Sequence, residues 1–273
     1  MREFNVRSLN NVKINVEHSF EYGTSEIYMC VQTRDPIIVD LHIVSKENFY
    51  KEELSEAWLR GLFIGIVLAM LLYNGVLFLS EKNKIYSSYI LYLMFFFLMV
   101  LSYNGYLYMY VWQGYPELNK LSIPIFMMAY MIFGIQFAQH FLSLQRRNLK
   151  LYFYSKVMIY FLLLSALLLY ILGSYFYFVI GTITMSTLFS VFMFYIGYIV
   201  WRQNNYWAKY FLIATSAGSI GTFLTALTVL SLIPFSYLLY RGVEIGIVLD
   251  SLLLSLALAE RMRIIQEEKV KVI

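Results

Sequence analysis

The stretch WLRGLFIGIVLAMLLYNGVLFL, residues 58–79, decides what kind of protein this is. A helix that crosses a bilayer needs about 20 mainly apolar residues, and this stretch supplies them in one run. Comparable runs follow near 86–110, 121–144, 152–172, 176–200, 210–231 and 237–259. The breaks between them are short: SEKNK (80–84), WQGYPELNK (112–120), QRRNLK (145–150), the pair Gly173-Ser174, WRQNNYWAK (201–209) and a turn around Pro234. The Gly173-Ser174 break is the briefest, and a continuous helix through it would leave six spans.

Composition points the same way. Of 273 residues, 60% are hydrophobic and 14% charged, with 25 Tyr and 22 Phe, and the mean hydropathy is +0.64. A soluble domain is about 45–50% apolar and about 25% charged. A water-soluble globule of this length would lack the polar surface to cover such a core, so soluble enzymes and nucleic-acid binders are excluded. Disorder is excluded too, because it requires low hydrophobicity. The chain is expected in contact with a lipid bilayer and not with nucleic acid.

Basic residues set the expected direction, because Lys and Arg accumulate in short cytoplasmic loops. The breaks after the first, third and fifth spans carry Lys82, Lys84, Arg146, Arg147, Lys150, Arg202 and Lys209. The segment after the seventh adds Arg261, Arg263, Lys269 and Lys271. The opposite loops hold Lys120, with Arg241 just inside the last span. Seven spans, N-terminus outside and C-terminus cytoplasmic, satisfy this asymmetry. Six would put Arg202, Lys209 and the basic tail on the wrong side.

The first 57 residues differ in kind. They are polar, and runs at 26–33 and 37–44 alternate like strands, with Val39, Leu41 and Ile43 on one face. Asp35-Pro36 between the runs suggests a turn. No apolar secretory stretch opens the chain. The predicted fold is therefore an all-α membrane bundle of seven transmembrane helices over 58–260. A short β-rich extracytoplasmic segment, 1–57, precedes it, and 261–273 begins a cytoplasmic coiled-coil or linker helix.

Ionisable groups inside a span are costly and hence candidates for function. The seventh span holds three. Arg241 and Glu244, three residues apart, can pair on one helix face. Asp250 has no charged partner in its own helix and continues the small-residue stripe of Gly242 and Gly246, which would let another helix approach closely. It should point into the bundle, either as a switch or ion-sensing carboxylate or as a hydrogen-bonded carboxyl that fixes packing. Further small-residue stripes run through Gly61, Gly65 and Ala69, and through Ala214, Gly218 and Thr222 beside Ala217 and Gly221. Either marks helix packing within the chain or a dimer face. Asn74, Asn104, Gln136, Gln139 and His140 are expected either to line a cavity or, the favoured reading, to hydrogen-bond between helices.

Catalytic arrangements are scarce. The chain contains no HExxH, GxSxG, Walker or GxGxxG motif, one cysteine (Cys30) and three histidines (His18, His42, His140). No catalytic residue, metal site or cofactor is expected, and no ligand site can be assigned.

Two separated passages carry a family resemblance. YNGVLFLSEKN (73–83) followed by YSSYILYLMFFFLMVLSYNGYLYMYVW (86–112) resembles the first two spans of the bacterial seven-transmembrane receptors with diverse intracellular signalling modules. The likeness lies in Tyr73-Asn74, the short charged turn, the Tyr-rich second helix, and Asn104-Gly105 before Trp112. GVEIGIVLDSLLLSLALAERMR (242–263) is similar to the family's closing motif at Gly246, Asp250, Leu253, Ser255, Ala257, Leu258, Ala259 and Arg261, with aspartate where the family pattern has glutamate. The strand-like runs resemble the last strands of the family's extracellular sandwich.

The resemblance implies a receptor of the bacterial cytoplasmic membrane. It would relay an external signal through seven helices to a kinase, cyclase or phosphatase output, here acting in trans or on a dimer mate. Most of the ectodomain and the output module are expected to be missing. Gly242, Gly246, Asp250 and Ser255 would couple and pack the helices, with Arg261 at the exit. Two rival readings are a small-solute or ion transporter with Asp250 as coupling carboxylate, and an inactive truncated receptor fragment.

Overall fold

A computed structural model describes residues 44–272, apart from 114, 172, 204, 205, 231 and 235. Every regular element among the described residues is a helix. In chain order these are α1 (Lys46–Glu81), α2 (Lys84–Tyr103), α3 (Tyr106–Tyr110), α4 (Pro116–Phe141), α5 (Leu144–Arg147), α6 (Leu149–Ile171), α7 (Tyr175–Arg202), α8 (Tyr206–Val229), α9 (Tyr237–Tyr240) and α10 (Gly242–Val272). Seven of them, α1, α2, α4, α6, α7, α8 and α10, are long and apolar enough to cross a membrane. The chain is a multi-pass membrane protein.

The connections follow from local chemistry. Asn83 caps α2 by accepting from the Ile85 N–H at 3.0 Å, after Lys82 turns left-handed at φ 48°. Gly105, at φ 78°, breaks the helix between α2 and α3 with a backbone conformation that suits glycine. Gly173 does the same at φ 67°, so the shortest break in the sequence is a real one and separates α6 from α7.

Three boundaries differ from the sequence expectation. The first helix starts at Lys46, so residues 46–57, assigned above to the polar extracytoplasmic segment, are a helical extension of the first span. Ser45 caps it by accepting from the Asn48 N–H at 3.3 Å, and Lys51 pairs with Glu47 one turn away at 2.7 Å. The strand-like run at 26–33 lies outside the described residues, as does 37–44 except Val44. The second expected span, 86–110, is divided at Asn104-Gly105 into α2 and α3. The third span, expected from 121, begins at Pro116 as α4, so Pro124 stands two turns inside the helix, where its ring nitrogen cannot donate to the carbonyl four residues back.

Burial sorts the helices. Within the membrane-length windows, 67% of α10 and 56% of α2 is buried inside the chain, against 11% for α1 and for α6. The closing helix thus lies at the centre, packed chiefly on α8, and α1 and α6 turn most of their side chains outward. The interior between α2, α4, α7 and α8 is aromatic. The Tyr89 and Phe137 ring centroids lie 4.8 Å apart, Phe137 and Phe141 5.4 Å, and Phe141 and Phe211 5.9 Å. Such pairs contribute about 0.5–1.5 kcal/mol each beyond the area they bury.

The two small-residue stripes have different fates. Gly218 and Gly221 of α8 lie against α10, whereas the Gly61 and Gly65 positions of α1 have no neighbouring atom within 4 Å of where a Cβ would sit. Among the described residues, nothing packs on that glycine stripe, although the opposite face of α1, with Phe63 and Ile64, meets the core.

Candidate functional site

Many of the polar groups buried in this molecule converge on α10, from its first turn to its sixth. The uppermost set is Arg241, Glu244 and Asn104, all under 8% exposed. Arg241 donates from Nη1 to Glu244 Oε2 at 2.6 Å and from Nη2 to Asn104 Oδ1 at 3.2 Å. Asn104 closes the ring by donating from Nδ2 to Glu244 Oε1 at 2.9 Å. Because the α2 break exposes this part of the chain to α10, the amide reaches both charges. A buried ion pair is stable only when its remaining lone pairs and protons are met, and Asn104 meets two of them.

One turn further, α8 and α10 touch backbone to backbone. A Cβ on Gly246 would lie 2.8 Å from the Ala217 carbonyl oxygen and 3.1 Å from Gly221 Cα. On Gly242 it would lie 2.9 Å from the Gly221 carbonyl oxygen, and on Gly221 it would collide with the carbonyl of Gly242. In lipid no hydrophobic drive brings helices together, so close backbone approach through small residues supplies the packing. Thr225 adds a polar tie, accepting from the Val243 N–H at 2.8 Å.

Past the seam α10 meets α2 and α1. Asp250 is 3% exposed; its Oδ2 accepts from the Tyr92 hydroxyl at 2.9 Å. Tyr89, three residues before Tyr92 on the same face, donates to the Ser251 carbonyl at 2.7 Å and lies 3.2 Å from Ser255 Oγ. Ser255 also takes the Asn74 Nδ2 hydrogen at 3.0 Å. The first, second and last spans are therefore joined at one buried serine.

The far end of α10 is clasped by α4. Arg261 donates from Nη1 to the Phe141 carbonyl and from Nη2 to Ser143 Oγ at 3.0 Å; its guanidinium sits 5.4 Å from the Phe141 ring centre. Phe141 is the last residue of α4, whose final carbonyls have no partner within the helix. A cation there also complements the helix dipole. Met262, beside it, accepts from Asn83 Nδ2 at 3.7 Å.

The structure thus brings Gly242 and Gly246 to α8, Asp250 and Ser255 to α2, and Arg261 to the end of α4. Four of the five polar groups expected to tie helices together do so: Asn74 and Asn104 as above, Gln139 to Ser155 Oγ at 2.7 Å, and His140 Nδ1 to Ser88 Oγ at 3.1 Å. Tyr89 and Tyr92 were not singled out from the sequence as partners of the closing helix. The available signal was Tyr86, Tyr89 and Tyr92 recurring at three-residue spacing on one face of α2. No group of three or more His, Cys, Asp or Glu side chains that could hold a metal occurs among the described residues.

A family model described as 7TM diverse intracellular signalling matches residues 56–261, from about one turn before Arg60 to Arg261 itself. No curated protein and no solved structure matches the chain.

Proposed function

The chain belongs to the 7TM diverse intracellular signalling family, and from that premise we propose that it is a membrane receptor whose closing helix carries the signal. The observation that supports this most is the convergence on α10. Contacts from α1, α2, α4 and α8 all end on one helix, so a rearrangement of any of them shifts that helix. A ligand can move such an equilibrium only by binding one arrangement better than the other. Here the two arrangements would differ in how α10 sits against Tyr89, Tyr92 and the α8 glycines.

In this reading the N-terminal end faces outward and the basic end of α10 faces the cytoplasm of a bacterial cell, as the Lys and Arg distribution favours. The output would be a kinase, cyclase or phosphatase in trans, or a second copy of the chain. No catalytic step is assigned to the chain itself.

The test is a chimera in which a cyclase module follows α10 in helical register and its product is measured in cells. Asp250→Asn, Ser255→Ala and Gly246→Ala are expected to change the output at equal abundance in the membrane. Unchanged output from all three would overturn the proposal. Transport is a second reading, favoured by the same buried carboxylate; ion uptake into vesicles that Asp250→Ala abolishes would select it instead.

A further inference from the structure

One oxygen in the closing helix is out of balance with its surroundings. Asp250 Oδ2 is served by Tyr92, but Oδ1 is fully buried and has no hydrogen-bond partner among the described residues. An ionised carboxylate in that position is costly unless something of opposite charge meets it. Asp250 also forms part of the wall of a cavity of about 30 Å³ between α10, α8, α7, α4 and α2. A single water needs roughly 10–15 Å³ of such space, so the cavity takes a small ion or a pair of waters and nothing larger.

Three of the hydroxyls that line this cavity already have their hydrogens committed. Thr215 donates its hydroxyl to the Phe211 carbonyl at 2.9 Å, and Thr222 donates to the Gly218 carbonyl at 2.9 Å. Ser219 donates across to the Ser190 carbonyl at 3.4 Å. With their protons committed to backbone carbonyls, these hydroxyls have only oxygen lone pairs left to offer. Gly218, facing Asp250 with no side chain of its own, keeps α8 from filling the space: a Cβ there would stand 3.6 Å from Asp250 Cβ. Ser190, Tyr92 and Tyr130 also line the space, and the rest of the wall is apolar. One carboxylate oxygen among hydroxyl lone pairs is a hard-oxygen donor set, and its single negative charge balances a single positive one.

We propose that this cavity is a binding site for a monovalent alkali cation, held by Asp250 Oδ1 with Thr215, Ser219 and Thr222 as neutral oxygen ligands. The ion would tie α10 to α8 across the glycine seam. This goes beyond the receptor reading and does not depend on it, since it concerns binding to the folded bundle whatever the output.

The experiment is thermal unfolding of the purified full chain in detergent, in sodium, lithium, potassium and choline chloride at fixed pH and ionic strength. Binding to the folded state alone raises Tm with ligand concentration. The expected rise in sodium over choline is roughly 3 °C for each tenfold increase above the dissociation constant. Thr222→Val and Thr215→Val, which keep volume and remove one oxygen, should move the response to higher sodium. Asp250→Asn should abolish it. Equal melting in all four salts, as water in the cavity would give, overturns the proposal; so does a full sodium response in Asp250→Asn or in both valine variants. If Asp250→Asn does not fold, the salt series on wild type and the valine variants decides the matter. A silent chimera with an intact sodium response would count against the receptor and leave the cation site standing.

Discussion

Asn104 and Glu244, 140 positions apart, meet through a 2.9 Å hydrogen bond from the amide to the carboxylate, and the same amide accepts from Arg241. The ion pair at the head of α10 is therefore a three-membered unit with one member on another span. Asn104→Leu should leave two charged groups each short of one bond and cost about 1–3 kcal/mol, measured as a drop in Tm. Arg241→Leu should cost more, about 3–5 kcal/mol, because it strands a buried carboxylate. The double variant Arg241→Leu/Glu244→Leu should be more stable than Arg241→Leu alone. A double variant less stable than the single would show that the pair contributes more than its desolvation costs.

The α8–α10 seam and the α1 stripe give opposite expectations for the same substitution. Gly246→Ala places a methyl 2.8 Å from a backbone carbonyl that cannot swing away, so α10 must move and Tm should fall by several degrees. Gly61→Ala and Gly65→Ala meet open space and gain helix propensity of up to about 1 kcal/mol, so Tm should hold or rise. A matched loss at Gly61 would mean that something beyond the described residues packs there.

Asn74 and Ser255 offer a clean measure of what a buried hydrogen bond between spans contributes. A double-mutant cycle of Asn74→Ala and Ser255→Ala should return a coupling near the average for membrane proteins, about 0.6 kcal/mol and no more than about 1.7. Zero coupling by thermal or denaturant unfolding would remove Ser255 from the set that joins the first and last spans.

Direction across the membrane is accessible to cysteine labelling in intact cells, after Cys30→Ser. Cysteines at Lys82, Arg147 and Arg202 should be protected together, and one at Gln113 should be labelled from outside. Labelling at Lys82 with protection at Gln113 would invert the orientation.

The spans were legible because each is an uninterrupted apolar run bounded by charge or glycine, and lipid permits few alternatives to a helix there. The start of α1 was not. Residues 46–57 are polar, and hydropathy is silent about a helix stabilised by Ser45 at its cap and by Arg60 reaching Glu56 at 3.2 Å and Glu53 at 2.7 Å. The inward turn of Asp250 could be read from its spacing to Gly246. Its partner could not: Tyr92 is 158 positions away, and among so many tyrosines no local signal says which one reaches α10. The open stripe on α1 carries the other lesson. Gly61-Gly65 and Gly242-Gly246 share one spacing in the sequence, and only the fold tells which has a neighbour.

One consequence of α10 concerns angle. It runs 31 residues from Gly242 to Val272 without a break, about 46 Å at 1.5 Å per residue, against roughly 30 Å of hydrocarbon. Its azimuth is pinned at the start by glycine-to-backbone contact and again at Arg261 by the end of α4. Each residue advances the helix by about 100°, so the bearing of the backbone beyond Met262 is inherited from the seam. One residue inserted after Met262 would swing everything downstream by more than a quarter circle, while seven would return it to within about 20°. The helix is a dial, and its zero is set at Gly246.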